Sequence, residues 1–263
     1  MSSILVLHWW RAWKGGTALT EAYLRSSGGR PPKTHPLVTL SFAQSLDGSI
    51  AARRGQPLNI SGRESMEVTH QLRADHDAIL VGIGTLLADN PRLTVRHAKG
   101  PHPRPIILDS WLRFPPDSSI LINHPLQPII ATTFGADSGR RSRLEAAGAE
   151  VLPLPPDSQG RVDIQALLDQ LPGRGLQTLM VEGGAGVITS FLAGRWVDRL
   201  IVTISPALIG GLRSVEELLH PNSNGSTPAS PYSIDQFPQL SNVRIDRAGR
   251  DLILSGRVHW GEV

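Results

Sequence analysis

The sequence contains no cysteine, which excludes disulfide frameworks, thiolate catalysis and any zinc site built on sulfur. Aromatic residues are scarce at 5%, and only three of the 26 basic residues are lysines (Lys14, Lys33, Lys99). No apolar run approaches the roughly 18 residues that a bilayer span needs. The opening Ile4–Leu7 stretch lacks the basic lead and long apolar core of a signal peptide. The nine histidines show no metal-ligand spacing, and neither His-Glu-x-x-His nor Gly-x-Ser-x-Gly occurs. Metal hydrolase and serine hydrolase chemistry therefore have no support. A soluble, cytoplasmic protein without metal is the expectation.

What is present is an ordinary globular balance: 263 residues, 40% hydrophobic and 19% charged. The net charge of +3 is small and the arginines are scattered, which argues against a nucleic-acid binder. Guanidinium forks suit phosphate, so a phosphorylated small molecule fits better.

Residues 1–35 read as an extension, tryptophan-rich and closed by the breaker cluster Ser26-Ser27-Gly28-Gly29-Arg30-Pro31-Pro32. From residue 36 onward strands and helices alternate. Leu37–Ala43, Ala78–Val81, Pro105–Leu108, Pro128–Ala131, Glu150–Leu152, Thr178–Val181 and Leu200–Ile204 have the apolar, β-branched character of strands. Helices are predicted from Ser61 to about Arg73, over Ser142–Ala147, from Asp163 to near Leu171, and over Ala185–Ala193. Ser61 and Glu64 have the spacing of a capping box. Alternation of this kind implies an α/β fold with a mostly parallel sheet covered on both faces. Residues 220–231 read as a loop. Asn242–Asp246 and Asp251–Val258 flank Ala248-Gly249 as an antiparallel hairpin, giving a mixed sheet.

Several segments can carry chemistry. A buried strand delivers Gly82, Gly84 and Thr85 at its carboxyl end, where open α/β sheets bind ligands; a tight turn is the plainer reading. Asp89-Asn90-Pro91 follows. Arg73 and Arg96 bracket the segment and can grip a phosphate together, or serve as solvated cations. Glu182-Gly183-Gly184-Ala185-Gly186 closes a strand and opens a helix, whose free amides make an anion site. Glu182 can accept paired N–H bonds from an aminopyrimidine, or cap the helix that follows. Asp47, in Leu46-Asp47-Gly48, ends the first strand and can equally be a turn residue.

Taken together, Phe42–Ala51, Leu72–Arg96, Val181-Glu182-Gly183-Gly184, Val197-Asp198 and Ser205–Gly211 resemble the reductase of riboflavin biosynthesis, whose fold is dihydrofolate-reductase-like with three layers. The zinc deaminase half of the bifunctional form has no counterpart in this sequence, so the stand-alone form is implied. The resemblance implies NADPH-dependent reduction of a ribosylaminopyrimidine 5′-phosphate to the ribitylamino compound, by a homodimer. It implies Ala43, Asn59, Thr85, Asp89, Ser110 and the turn Gly184, Ala185, Gly186, Val187, Ile188, Thr189 and Ser190 at the cofactor. Arg73 and Arg96 would hold the substrate phosphate, Leu93 would line the substrate site, and Glu182 would read the pyrimidine. Ser41 stands where many bacterial members carry lysine. Asp47 is the candidate for delivering the proton that accompanies hydride transfer to C1′, or for orienting the sugar hydroxyls. A pteridine or folate-type reductase on the same fold, and a non-catalytic nucleotide- or nucleic-acid-binding homologue, are the alternatives.

Overall fold

The computed structural model describes residues 35–216, 218 and 233–261. The expected leader and the loop at 220–231 lie outside the described residues, apart from His35. A nine-stranded sheet, ordered β10-β11-β8-β1-β7-β3-β4-β5-β6, spans the molecule. Its middle consists of β1 (Leu37–Ser45), β7 (Thr178–Gly183), β3 (Ala78–Gly82) and β4 (Arg104–Leu108). β5 (Ile129–Thr133), β6 (Glu150–Leu154) and β8 (Arg199–Ser205) extend the parallel set. Strands buried on both faces need near-continuous apolar runs, and Ala78-Ile79-Leu80-Val81 supplies one at 0–1% exposure.

Alternate residues of these strands feed separate cores. Leu40, Leu80 and Val181 pack with α5 (Ile164–Gln170) and α6 (Ala185–Ala193) on one face. Ile79, Val81 and Ile107 pack on the other with α2 (Ile83–Asp89), α3 (Ser119–Asn123) and α4 (Ser138–Ala146). Val68 and Leu72 of α1 (Arg63–Ala74) cover Met180 and Ile201 farther along that second face. The expected three-layer α/β arrangement is therefore present.

The carboxyl-terminal hairpin is present too, but longer than expected: β10 (Gln239–Ala248) and β11 (Asp251–His259), with β11 antiparallel to β8. Gly249, at φ 60°, makes its tight turn. β10 carries a bulge between Ser241 and Arg244. A second, two-stranded sheet of β2 (Ser49–Ala51) and β9 (Leu212–Arg213) was not foreseen; strands this short leave no periodicity to read.

Three further expectations are corrected. Gly82-Ile83-Gly84 is no tight turn, because α2 starts at Ile83 directly from the strand. α4 begins at Ser138 rather than Ser142, since the Asp137 side chain caps it by accepting the Arg140 amide. The Ser61–Glu64 capping box does not form. Gly62 is the N-cap of α1, and its amide donates to Asp251 Oδ2 at 2.7 Å, an oxygen that also accepts the Ser65 hydroxyl. A carboxylate from the distant hairpin has taken the capping role.

Candidate active site

The carboxyl ends of β1, β3, β4 and β7 open into a cavity of 850 Å³. Of the expected residues, Ala43, Arg73, Thr85, Asp89, Ser110, Glu182, Gly184, Ala185, Gly186, Val187, Ile188 and Ser190 line it. Thr189 faces an adjoining cavity of 480 Å³, and its hydroxyl accepts the Glu216 amide at 2.9 Å. Asn59 is exposed just beyond the lining residues Pro57 and Leu58. Met66 and Thr69 of α1 also line the cavity. With Arg73 they follow an i, i+3, i+7 spacing, so the helical face was there to be read.

One end of the cavity is built to receive an anion. Gly184, the N-cap of α6, offers no side-chain cap, so the first amides of that helix keep their hydrogen-bonding capacity and positive potential. The turn needs glycine: Gly183 has φ 97°, and a Cβ on Gly82 would lie 2.8 Å from Val187. Thr85 locks it, donating to the Gly183 carbonyl at 3.2 Å and accepting the Gly184 amide at 3.1 Å. Beyond β4, the Arg113 guanidinium lies 5.2 Å from the exposed Trp111 ring, and Arg161 pairs with Asp157 at 3.1 Å. All four line the same cavity. A nicotinamide dinucleotide fits this donor set: free helix amides for its diphosphate and arginine forks for a further phosphate.

The other end is bordered by Arg73 and Glu182, and their ion-pair network runs beyond the lining residues to Thr94 and Arg96. Arg73 grips Glu182 through Nε and Nη2, both at 2.7 Å. Its Nη1 donates to the Thr94 carbonyl at 3.2 Å, and Arg96 Nη1 donates to the Thr94 hydroxyl, also at 3.2 Å. The two guanidinium groups thus meet at one residue. Burial opposes the Arg73 charge, but the Glu182 carboxylate overcomes it and raises the pKa. Arg96 is lowered by burial and by the neighbouring cations Arg73 and Arg92. Arg73, at 8% exposure, is no solvated helix-end cation, and Glu182 does not cap α6. Leu93 departs from the expected picture in its side chain, which is 1% exposed in the second core. Its backbone, at φ 53°, shapes the segment that carries Arg96.

Asp47 requires a correction. Its carboxylate accepts four hydrogen bonds: Ser45 at 2.5 Å, Ser49 at 2.8 Å, and the Ile209 and Gly210 amides at 3.0 and 2.7 Å. The Ser45 hydroxyl and those two amides hold its pKa well below the usual carboxylate range. A carboxylate held this way favours its ionised form, which argues against proton delivery. Its work is to fasten the β1–β2 turn to the loop that precedes β9.

The family profile of the RibD C-terminal domain matches residues 36–254. A 2,5-diamino-6-ribosylamino-4(3H)-pyrimidinone 5′-phosphate reductase of Methanothermobacter thermautotrophicus is 39% identical over 225 residues, covering 83% of this chain and 96% of the relative. The chain belongs to the RibD C-terminal domain family. Among solved structures, the riboflavin biosynthesis reductase Rib7 of Saccharomyces cerevisiae matches with a TM-score of 0.64 at 28% identity, over 92% of this chain and all of that one. Acinetobacter baumannii RibD shares the fold, with a TM-score of 0.70 at 23% identity, over 86% of this chain and 59% of that one. Membership of the RibD C-terminal domain family is consistent with both ends of the cavity. Among the described residues no group of three His, Cys, Asp or Glu side chains is placed to hold a metal ion. No described helix is long and apolar enough to cross a membrane.

Proposed function

We propose that residues 36–263 form a reductase of riboflavin biosynthesis that converts a ribosylaminopyrimidine 5′-phosphate into its ribitylamino product, with NADPH as reductant. The observation that carries this reading is the meeting of Arg73 and Arg96 at Thr94, beside a forked Glu182 on the cavity that also receives the bare start of α6. Around Arg96 three cations, Arg73, Arg92 and Arg96 itself, face one carboxylate, Glu182, leaving a positive surplus for a phosphate dianion. An unphosphorylated pterin has no use for that surplus, which sets the folate-type alternative aside.

When bound, the dihydronicotinamide supplies the hydride. The residues of this chain bind and orient. Arg73 takes up two directions of the Glu182 carboxylate and leaves its remaining lone pairs for ring N–H groups of the pyrimidine. Arg96 holds the phosphate, so that binding energy far from the reacting carbon aligns the sugar. The backbone of Leu93, rather than its side chain, borders the substrate. Ala43, Thr85, Asp89, Ser110 and the Gly184–Ser190 turn border the cofactor, with Asn59 at the outer edge. Arg113 and Arg161 supply the preference for a 2′-phosphate. The relatives' names favour the undeaminated diaminopyrimidinone as substrate.

The purified chain should oxidise NADPH with the diaminopyrimidinone phosphate faster than with its deaminated counterpart. Inactivity on both compounds would refute the reading. Arg113→Ala should raise the KM for NADPH while leaving that for NADH unchanged. A cytoplasmic homodimer without nucleic-acid partners completes the proposal. The dimer is supported by aliphatic side chains left in solvent on the hairpin, Val243 at 49%, Ile245 at 65% and Leu252 at 43%.

A further inference from the structure

The segment 91–97 that carries Arg96 belongs to no helix or strand, so its amides need acceptors from elsewhere. Two consecutive amides find histidine rings. Val95 donates to His102 Nδ1 at 3.0 Å, and Arg96 donates to His70 Nδ1 at 3.0 Å. The rings approach from different elements, His70 from α1 and His102 from the stretch before β4. Between them the segment holds Leu93 in a left-handed conformation, which a non-glycine residue keeps only when its surroundings enforce it.

We propose that His70 and His102 are positioning residues for the substrate phosphate, pegging this segment so that the Arg96 guanidinium is held at the site. The inference rests on the reading of Arg96 as the phosphate ligand. His70 is the sharper case. It is fully buried, and because Nδ1 accepts, its proton must sit on Nε2. Nε2 has no hydrogen-bond partner, and the His97 ring stands edge to face with it at 4.7 Å and 81°. A buried ring with one orphaned nitrogen is an expensive way to fill core space; the Nδ1 contact is what it provides. The charged and titratable groups around it are Arg73, Arg96 and His97. Burial, followed by those three, pushes its pKa down to about 4, against a Thr94 backbone contact that draws it upward. The ring is therefore neutral, the only state in which Nδ1 can accept. The consequence reaches further than Arg96. Thr94 receives both guanidinium groups, so a shift of the segment disturbs Arg73 as well, and through it Glu182.

The test compares His70→Leu and His70→Asn in the full chain, with His102→Leu as a second probe of the same segment. Asparagine can place an amide oxygen near the position of Nδ1. Ribose 5-phosphate binding by calorimetry should weaken about tenfold in His70→Leu and recover most of that in His70→Asn. The KM for the pyrimidine phosphate should rise in parallel, with kcat and the KM for NADPH within about twofold, as expected for a lost binding contact. Exchange of the Arg96 amide proton should accelerate. Unchanged ribose 5-phosphate affinity in a folded His70→Leu overturns the proposal, as does equal weakening of NADPH. Should His70→Leu not fold, unchanged phosphate affinity in a folded His102→Leu, with Arg96 exchange unaltered, overturns it as well. Wild-type protein that binds neither ribose 5-phosphate nor substrate removes the functional reading itself, a result distinct from a wild type that binds and a variant that does not differ.

Discussion

The Arg73–Glu182 pair shows how burial changes the meaning of a residue. An exposed arginine loses little when its partner goes, but Arg73 is 8% exposed and both of its forked bonds end on one carboxylate. Glu182→Leu should therefore destabilise the protein by roughly 3 kcal/mol, the cost of stranding a buried charge. Arg96→Ala, at a residue that reaches solvent, should change stability by less than about 0.5 kcal/mol while weakening substrate. Urea melts of the two variants measure the contrast. Asp47→Asn should lower Tm, because two of the donors now facing Asp47 would meet an NH2 group, and it should leave the pH profile of kcat where it is.

Two buried rings give stability a pH dependence. Burial leads the causes that push both His70 and His76 down to about 4. Unfolded, each takes up a proton near pH 6.5. Between these values the unfolded chain binds more protons than the folded one, so stability falls as pH drops. Chemical denaturation should show a level plateau above about pH 6.5 and a steady loss toward 4. Asp47, held low, works at the acid extreme: its contribution survives that window and is lost only below the ordinary carboxylate range.

At the scale of elements, two of the helices that border the cavity, α1 and α6, start in opposite ways. α6 begins bare at Gly184, while α1 is capped by Asp251 from the far hairpin. Asp251→Ala should cost about 1–2 kcal/mol and loosen the hairpin, whereas Ser61→Ala should be close to neutral. Reversal of that order in thermal melts would reinstate the local capping box. Gly82→Ala would place a methyl group 2.8 Å from Val187 and push α6 away from β3. Its expected signature is a rise in the KM for NADPH larger than that for substrate.

These elements also show how far local signals reach. The strands at 78–81 and 178–181 announced themselves because a parallel strand buried on both faces must be apolar throughout. The helix start at Asp163, whose side chain does cap it, could be placed from residue type alone. The Ser61 cap failed because a stronger acceptor arrived from a residue 189 positions away, and no window along the chain contains that competition.

For the whole molecule, the sheet brings residues far apart in sequence to one cavity, and its two edges are treated differently. Edge strand β6 carries Pro153, which cannot donate to a further strand. Edge strand β10 instead leaves Val243 and Ile245 in solvent. If that hairpin is the dimer surface, Ile245→Arg should convert dimer to monomer in light scattering while the chain stays folded. An unchanged dimer mass would place the contact elsewhere.

The sequence by itself determined the α/β class and the strand–helix order, because periodicity and turn residues are local properties. Tertiary structure decided what each residue does. It surrounded Asp47 with four donors, gave Arg73 to Glu182, sent the Leu93 side chain into the core, and set two histidine rings against the segment that carries Arg96. Each of these outcomes depends on which donors and acceptors meet across the sheet once water is excluded. That information resides in the packing of distant segments and in no single stretch of chain.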